Sequence, residues 1–170
     1  MPGNTAPIPN GYNGLNWNNF WDLNGDTYPL NPSGYQAGTV SHSNVAFNAF
    51  ASPASFSSNT AFNFNSVYLT GAWNDGLNIE VQGFNGVNLI YDQNVTVNST
   101  SPTLFNFNYL NVTEVNFIPL SSEDWFAMDN LTINGQGVPD GGTTISLLGC
   151  ALLGVAVLRR KFGKLSVVKK

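Results

Sequence analysis

Carboxylates are the first groups in this chain whose type could do chemistry. Asp22, Asp26, Asp75, Glu80, Glu123, Asp124 and Asp129 supply many pairs. A glycosidase needs two facing carboxyl groups about 5–9.5 Å apart, and sequence spacing singles out none of these pairs. In "DLNGDT" the side chains of Asp22, Asn24 and Asp26 fall at alternate positions, and oxygen-rich loops of that kind attract Ca²⁺. The stretch is not an EF-hand loop: Gly25 is misplaced, and the twelfth position holds Ser33 rather than Glu. His42, the one histidine, lies in a Ser-rich stretch between Ser41 and Ser43. Members of a catalytic triad meet in space, not in sequence, so His42 reads as a surface-loop residue. The one cysteine, Cys150, precludes an intrachain disulfide and leaves no Cys/His cluster for zinc. It reads as a small apolar residue, with lipidation or redox chemistry as the alternative.

Two further constellations could bind rather than react. Trp73-Asn74-Asp75 joins an aromatic platform to an amide and a carboxylate, a combination suited to a sugar with its apolar face and polar edges. Trp17, Trp21 and Trp125, with Tyr12, Tyr28 and Tyr35, could stack in the same way, although most would fill a core. Trp17 and Trp21 are four apart and would share a face in one strand. Asp129, close to Met128 and Leu131, needs a partner for its charge. Backbone N–H groups or a metal must supply it, because the body has no Lys or Arg.

That absence is the strongest compositional fact. Residues 1–158 hold ten acidic side chains and no Lys or Arg, and the six bases that follow bring the formal charge to −4. Phosphate contacts depend on Lys and Arg, so the body is not a nucleic-acid partner and has no clamp for a phosphorylated substrate. Charged residues make up only 9% of the chain, but aromatics make up 13%, and disordered chains are poor in aromatics.

The elements that must position these groups read as strands. Asn-Gly pairs at 10–11, 13–14, 24–25, 85–86 and 134–135, with Asp75-Gly76, mark turns, because Asn, Asp and Gly tolerate φ > 0. Between them run alternating β-forming segments. Phe62 and Phe64, then Val67 and Leu69, face one way, as do Leu77, Ile79 and Val81. "VNLIYDQNVTVN" follows across Asn85-Gly86 as a hairpin partner. The expectation is an all-β, antiparallel β-sandwich of about eight strands over residues 8–134.

After it come a linker with a Pro-Asp-Gly-Gly turn at 135–144, an uncharged run at 145–158 and a basic tail at 159–170. As a helix, the run spans about 21 Å, short of the roughly 20 residues a bilayer core needs. Its flank, Arg159-Arg160-Lys161, is a positive-inside stop cluster. Snorkelling bases could carry the helix most of the way across. The expectation is a transmembrane-type helix with a cytoplasmic tail, and the alternative is a buried core helix.

The order of turn, apolar helix and basic cluster closely resembles the PEP-CTERM class of bacterial sorting signals. Val138-Pro139-Asp140-Gly141-Gly142 is similar to its VPDSG variant, with Gly141 in place of Ser. The resemblance implies recognition and removal of the tail by an exosortase, an integral-membrane cysteine protease. It also implies passage through the bacterial inner membrane to the cell surface or extracellular matrix. "MPGNTAPIPNGYNG" has no basic and apolar leader pattern, so the expectation is a true start upstream of Met1.

The body stretches "GLNWNNFWDLNG", "YLTGAWNDGLNIEVQGF" and "FAMDNLTI" resemble secreted domains of the galactose-binding-like, jelly-roll type. That resemblance implies a non-catalytic binding or adhesive module, with exopolysaccharide as a partner. It also implies a structural Ca²⁺ bridging Asp22 or Asp26 in an early loop to Asp129 in the last strand. Carbohydrate processing by paired carboxylates is the enzymatic alternative, and permanent membrane anchoring of an uncut tail is the topological one.

Overall fold

A computed structural model describes residues 5–41, 43–121 and 123–135. The sorting motif Val138–Gly142, the 145–158 run with Cys150, the basic cluster Arg159–Lys161 and His42 lie outside the described residues. Among the described residues no helix is long and apolar enough to cross a membrane.

The described residues form nine strands: β1 (Thr5–Pro7), β2 (Asn16–Asn18), β3 (Phe20–Asn24), β4 (Asn44–Asn48), β5 (Ala54–Gly71), β6 (Leu77–Asn85), β7 (Asn88–Val97), β8 (Thr103–Pro119) and β9 (Phe126–Ile133). One short helix, α1 (Gly34–Ala37), lies between β3 and β4. Every strand pair is antiparallel, in the order β1-β3-β4-β9-β5-β8-β6-β7, with β2 added to β5. The all-β expectation holds, with nine strands rather than about eight.

β5 and β8 organise the fold. At 18 and 17 residues they far exceed the usual ~5–6, and they pair with each other along most of their length. Their register shifts between Ser57 and Phe62, between Phe62 and Phe64, and again between Phe64 and Ser66. Bulges bend a strand and re-aim its side chains, so each long strand serves two half-sheets. The first end of β5 and the last of β8 pair with β2 and β6. The last part of β5 pairs with β9, which continues to β4, β3 and β1.

The main core draws on both halves: Phe20, Phe126 and Met128 from one, and Ile79, Val81 and Phe117 from the other. Phe20 meets Phe117 edge-on at 5.7 Å, and Phe64 stacks on Phe107 at 4.8 Å. A second cluster takes Leu23, Val45, Phe47 and Ala127 from the opposite face of β3, β4 and β9, closed over by Tyr28, Tyr35 and Ala72. Ser33 caps α1 by accepting the Gln36 N–H at 3.4 Å, and so sets Tyr35 over that cluster.

Trp17 and Trp21 do not share a strand. Asn19, left-handed at φ 56°, separates β2 from β3. Trp17 packs against the main core and Trp21 against the second.

Candidate functional site

A groove of about 790 Å³ opens where β1, β3, β4 and β9 meet the segment 8–17. Two Asn-Gly turns shape that segment: Gly11, Asn13 and Gly14 all have positive φ. Side chains then fold it back onto β2. The Trp17 N–H donates to Asn10 Oδ1 at 2.7 Å, and the Trp17 indole N–H donates to the Tyr12 carbonyl at 3.0 Å. Tyr12 is left 54% exposed on the groove wall, its ring 6.4 Å from that of Trp17.

Polar groups line the same groove. Asp22 on β3 accepts a 3.2 Å hydrogen bond from the Asn44 amide on β4, and Asn13, Ser41 and Asn130 also line the groove. Buried Leu15 and Met128 give it an apolar floor. A ring set beside amides and a carboxylate over apolar walls is the arrangement that holds small amphipathic ligands.

Asp129 lies on the same groove, but its oxygens are in use. Oδ2 accepts the N–H groups of Val40 and Ser41 at 2.7 and 2.8 Å, and Oδ1 accepts the Ser41 hydroxyl at 3.0 Å and the Asn130 N–H at 2.7 Å. These donors meet the carboxylate's need for a partner and pin the 40–41 loop to β9. Asp22 shares the groove, whereas Asp26 lies exposed in the turn after β3 and does not line it.

The fit to the expected calcium is therefore poor. Four donors crowd the last-strand ligand, and among the described residues no three His, Cys, Asp or Glu gather at one point. Neither millimolar Ca²⁺ nor EGTA should move the melting temperature of the purified protein by more than about 1 °C, since only a ligand of the native state stabilises it. A rise of several degrees with Ca²⁺ would restore the bridging ion.

Trp73, Asn74 and Asp75 do not line the groove. Trp73 is 40% exposed and rests edge-on against Tyr35 at 5.5 Å. Asp75 accepts the Ser99 N–H at 2.7 Å and the Ser99 hydroxyl at 2.8 Å, while Asn98 accepts the Gly76 N–H at 2.9 Å. The turn is thus tied to the β7–β8 loop, and the Ser99 bonds hold the Asp75 carboxyl below its ordinary value of 3.8.

A depressed folded-state pKa means that this tie is complete above the ordinary Asp range and is lost as pH falls through the folded value. The Ser99 amide resonance should titrate with a midpoint below 3.8, and Asp75→Asn should abolish that titration. A midpoint at or above the ordinary value would mean that Asp75 does not hold the loop.

Among curated proteins, none matches the chain. A solved structure, TmCBM61 in complex with beta-1,4-galactotriose, aligns with 74% of this chain and 93% of its own, with a TM-score of 0.36 and 10% sequence identity. The family model for the VPDSG-CTERM motif matches residues 137–162, and a C-terminal sorting motif of this kind indicates export to the cell envelope or surface.

Proposed function

We propose that the chain is an exported bacterial envelope or extracellular-matrix protein whose body is a non-catalytic glycan-binding or adhesive module. Its tail is a transient membrane segment, cut off by an exosortase-type protease at Val138–Gly142. The observation that carries this reading is the VPDSG-CTERM match at 137–162.

The chemistry of that stretch supports it. Proline disfavours helix at the residue before it and glycine permits an open backbone, so the residue types of Val138-Pro139-Asp140-Gly141-Gly142 suit entry into a protease site. The apolar run then holds this stretch near the bilayer, and Arg159-Arg160-Lys161 keeps the end on the cytoplasmic side. The groove supports a glycan as the body's ligand. Tyr12 offers a ring face, Asn13 and Asn44 offer amides, and Asp22 offers an acceptor for sugar hydroxyls. Binding is favoured over catalysis because Asp129, the second carboxylate on the groove, is committed to four donors.

The test is the intact mass of the protein recovered from its native cells, followed by electrophoresis through gels containing the extracellular polysaccharide of those cells. The expected product ends within residues 139–142, lies outside the inner membrane and is retarded by the polysaccharide, with Tyr12→Ala less retarded. A product ending at Lys170 in the membrane fraction would replace removal with permanent anchoring. A full-length product soluble in the cytoplasm would overturn the sorting reading, and unchanged migration in the polysaccharide gel would overturn glycan binding.

A further inference from the structure

The outer face of the half-sheet β2-β5-β8-β6-β7 carries a polar array that the groove does not use. Strand register fixes it. Asn18 lies opposite Ser55, Ser55 opposite Asn116, Asn116 opposite Gln82, and Gln82 opposite Asp92. This one transverse row crosses five strands, with a polar side chain on each, at the ~4.8 Å spacing of neighbouring strands. The adjoining rows add Glu114, opposite Ser57 and Phe84, and Glu80, opposite Asn94. The alternate residues of the same strands, among them Phe56, Val81, Val115 and Phe117, are fully buried in the main core, so the polar set faces outward.

The middle of this face is recessed. Ser55 is only 9% exposed although it lies on the open side of the sheet. Asn116, Gln82, Glu80 and Glu114 are half-buried, while Asn18 and Asp92 at the ends of the row are exposed. Glu80 accepts the Gln82 amide at 2.7 Å. The side chains of Ser55, Asn116 and Glu114 make no hydrogen bond to another described residue. Among the described residues no buried side-chain N or O lacks a partner, so the polar atoms of these three reach the surface and are open to water or to a ligand.

Charge selects the ligand. Three carboxylates, Glu80, Glu114 and Asp92, share the face, and no Lys or Arg occurs anywhere before residue 159. The field over it is uniformly negative, which repels uronate or phosphate polymers and draws in cations. The regular spacing of amides and hydroxyls calls for a polymer with hydrogen-bonding groups at a similar repeat, lying across the strands.

We infer that this face binds an extended polysaccharide bearing free amino groups, its ammonium groups facing Glu80, Glu114 and Asp92 and its hydroxyls facing the Ser55–Asn116–Gln82 row. The inference rests on the reading of the body as a glycan binder, but it assigns a different surface and a ligand of defined charge.

The probes are the glucosamine hexamer, its fully N-acetylated counterpart and an alginate hexamer. Each is titrated calorimetrically into the full chain in detergent at a mildly acidic pH at which the amino sugar carries its charge. The expected result is that the amino hexamer binds and the N-acetylated one does not, and that any alginate binding brought by the basic tail is unchanged in the Glu-to-Gln double variant. The Glu80→Gln, Glu114→Gln double variant should bind it about tenfold more weakly, and raising salt from ~50 to ~300 mM should weaken it by a similar factor. Tyr12→Ala should leave it unchanged. Asn116→Ala, which removes no charge, should also weaken binding, and the melting curves of all variants show whether each is folded.

Equal binding of the neutral hexamer, or a Glu-to-Gln double variant that binds as the wild type does, would overturn the inference. If the amino hexamer fails to bind while the native polysaccharide still retards the protein through Tyr12, this surface assignment falls and the glycan-binding reading stands. If neither binds, both fall.

Discussion

Asn48→Leu should lower the melting temperature by about 10 °C, the largest loss expected from one polar side chain in this domain. Asn48 is fully buried at the end of β4. Its Oδ1 accepts the N–H of Phe126, the first residue of β9, at 2.7 Å. Its amide nitrogen donates to the carbonyls of Asp124 at 3.1 Å and Ser52 at 3.3 Å. One side chain thus ties the end of β4, the entry to β9 and the sharp turn in which Phe50 and Ala51 both hold positive φ. Leu fills a similar volume but leaves the buried Phe126 N–H and the Asp124 carbonyl unmet, at a cost of about 1–3 kcal/mol for each fully orphaned group, while the Ser52 carbonyl keeps only a 3.5 Å bond from the Asn19 amide.

Asn48→Asp separates the two roles of the amide. It keeps an acceptor for Phe126 but turns a second oxygen toward two carbonyls. Burial favours its neutral form and raises its folded-state pKa, so the variant should come closest to wild type in acid and lose stability as pH rises through that value. A drop of less than about 3 °C for Asn48→Leu would show that the turn is held by other contacts.

The alternation of the sequence carries the fold further than its strand count does. Phe62 and Phe64 are followed by Val67 and Leu69, so the apolar phase slips by one between Phe64 and Val67. The structure places a register shift between Phe64 and Ser66. The same slip recurs in β8, where buried Phe107 and Tyr109 give way to Val112 and Val115, with Asn108 and Asn111 at positive φ between them. Asparagine tolerates that conformation better than other non-glycine residues, so the bends of β8 stand at asparagines. The β6–β7 hairpin is equally legible: Gly86 holds φ 58° between Asn85 and its partner Asn88.

The groove was not legible. Its wall comes from residues 6–22, 41–46 and 128–133, and only the β1-β3-β4-β9 order brings those stretches together. Sequence proximity favoured Trp73-Asn74-Asp75 instead, because an aromatic beside a carboxylate looks like a site when the carboxylate is free. Here Ser99, 24 residues further on, occupies it. Asp129 was recognisable as a charge in need of a partner. That the partner is a loop of N–H groups 88 and 89 residues earlier in the chain depends on how α1 and the chain after it cross the second core.

That crossing yields the other large effect, which no turn or propensity rule reveals. Gly34→Ala should destabilise the domain by about 2–4 kcal/mol, as overpacking against backbone does. A Cβ at Gly34 would overlap the Gly71 carbonyl oxygen and come within 2.7 Å of its carbon and 3.0 Å of the Ala72 Cα. None of these atoms is the flexible end of a side chain. The Gly34 N–H also donates to the Ala72 carbonyl at 2.7 Å, so the helix start is bound to the end of β5 at the point of closest approach. The methyl can be accommodated only if α1 lifts or the end of β5 retreats. Lifting α1 exposes Tyr35, now 1% exposed in the second core, and removes the nearer of the two tyrosine rings, Tyr35 and Tyr28, that pack against Trp73. The variant should therefore show a lower melting temperature together with red-shifted tryptophan emission as Trp73 gains solvent. Gly76→Ala is the control. Its Cβ would meet nothing within 4 Å, but the residue sits at φ 72°, so only the left-handed cost of about 1–2 kcal/mol applies, and Trp73 should keep its emission. If Gly34→Ala proves no more damaging than Gly76→Ala, with emission unchanged, the contact between α1 and β5 is looser than this packing requires.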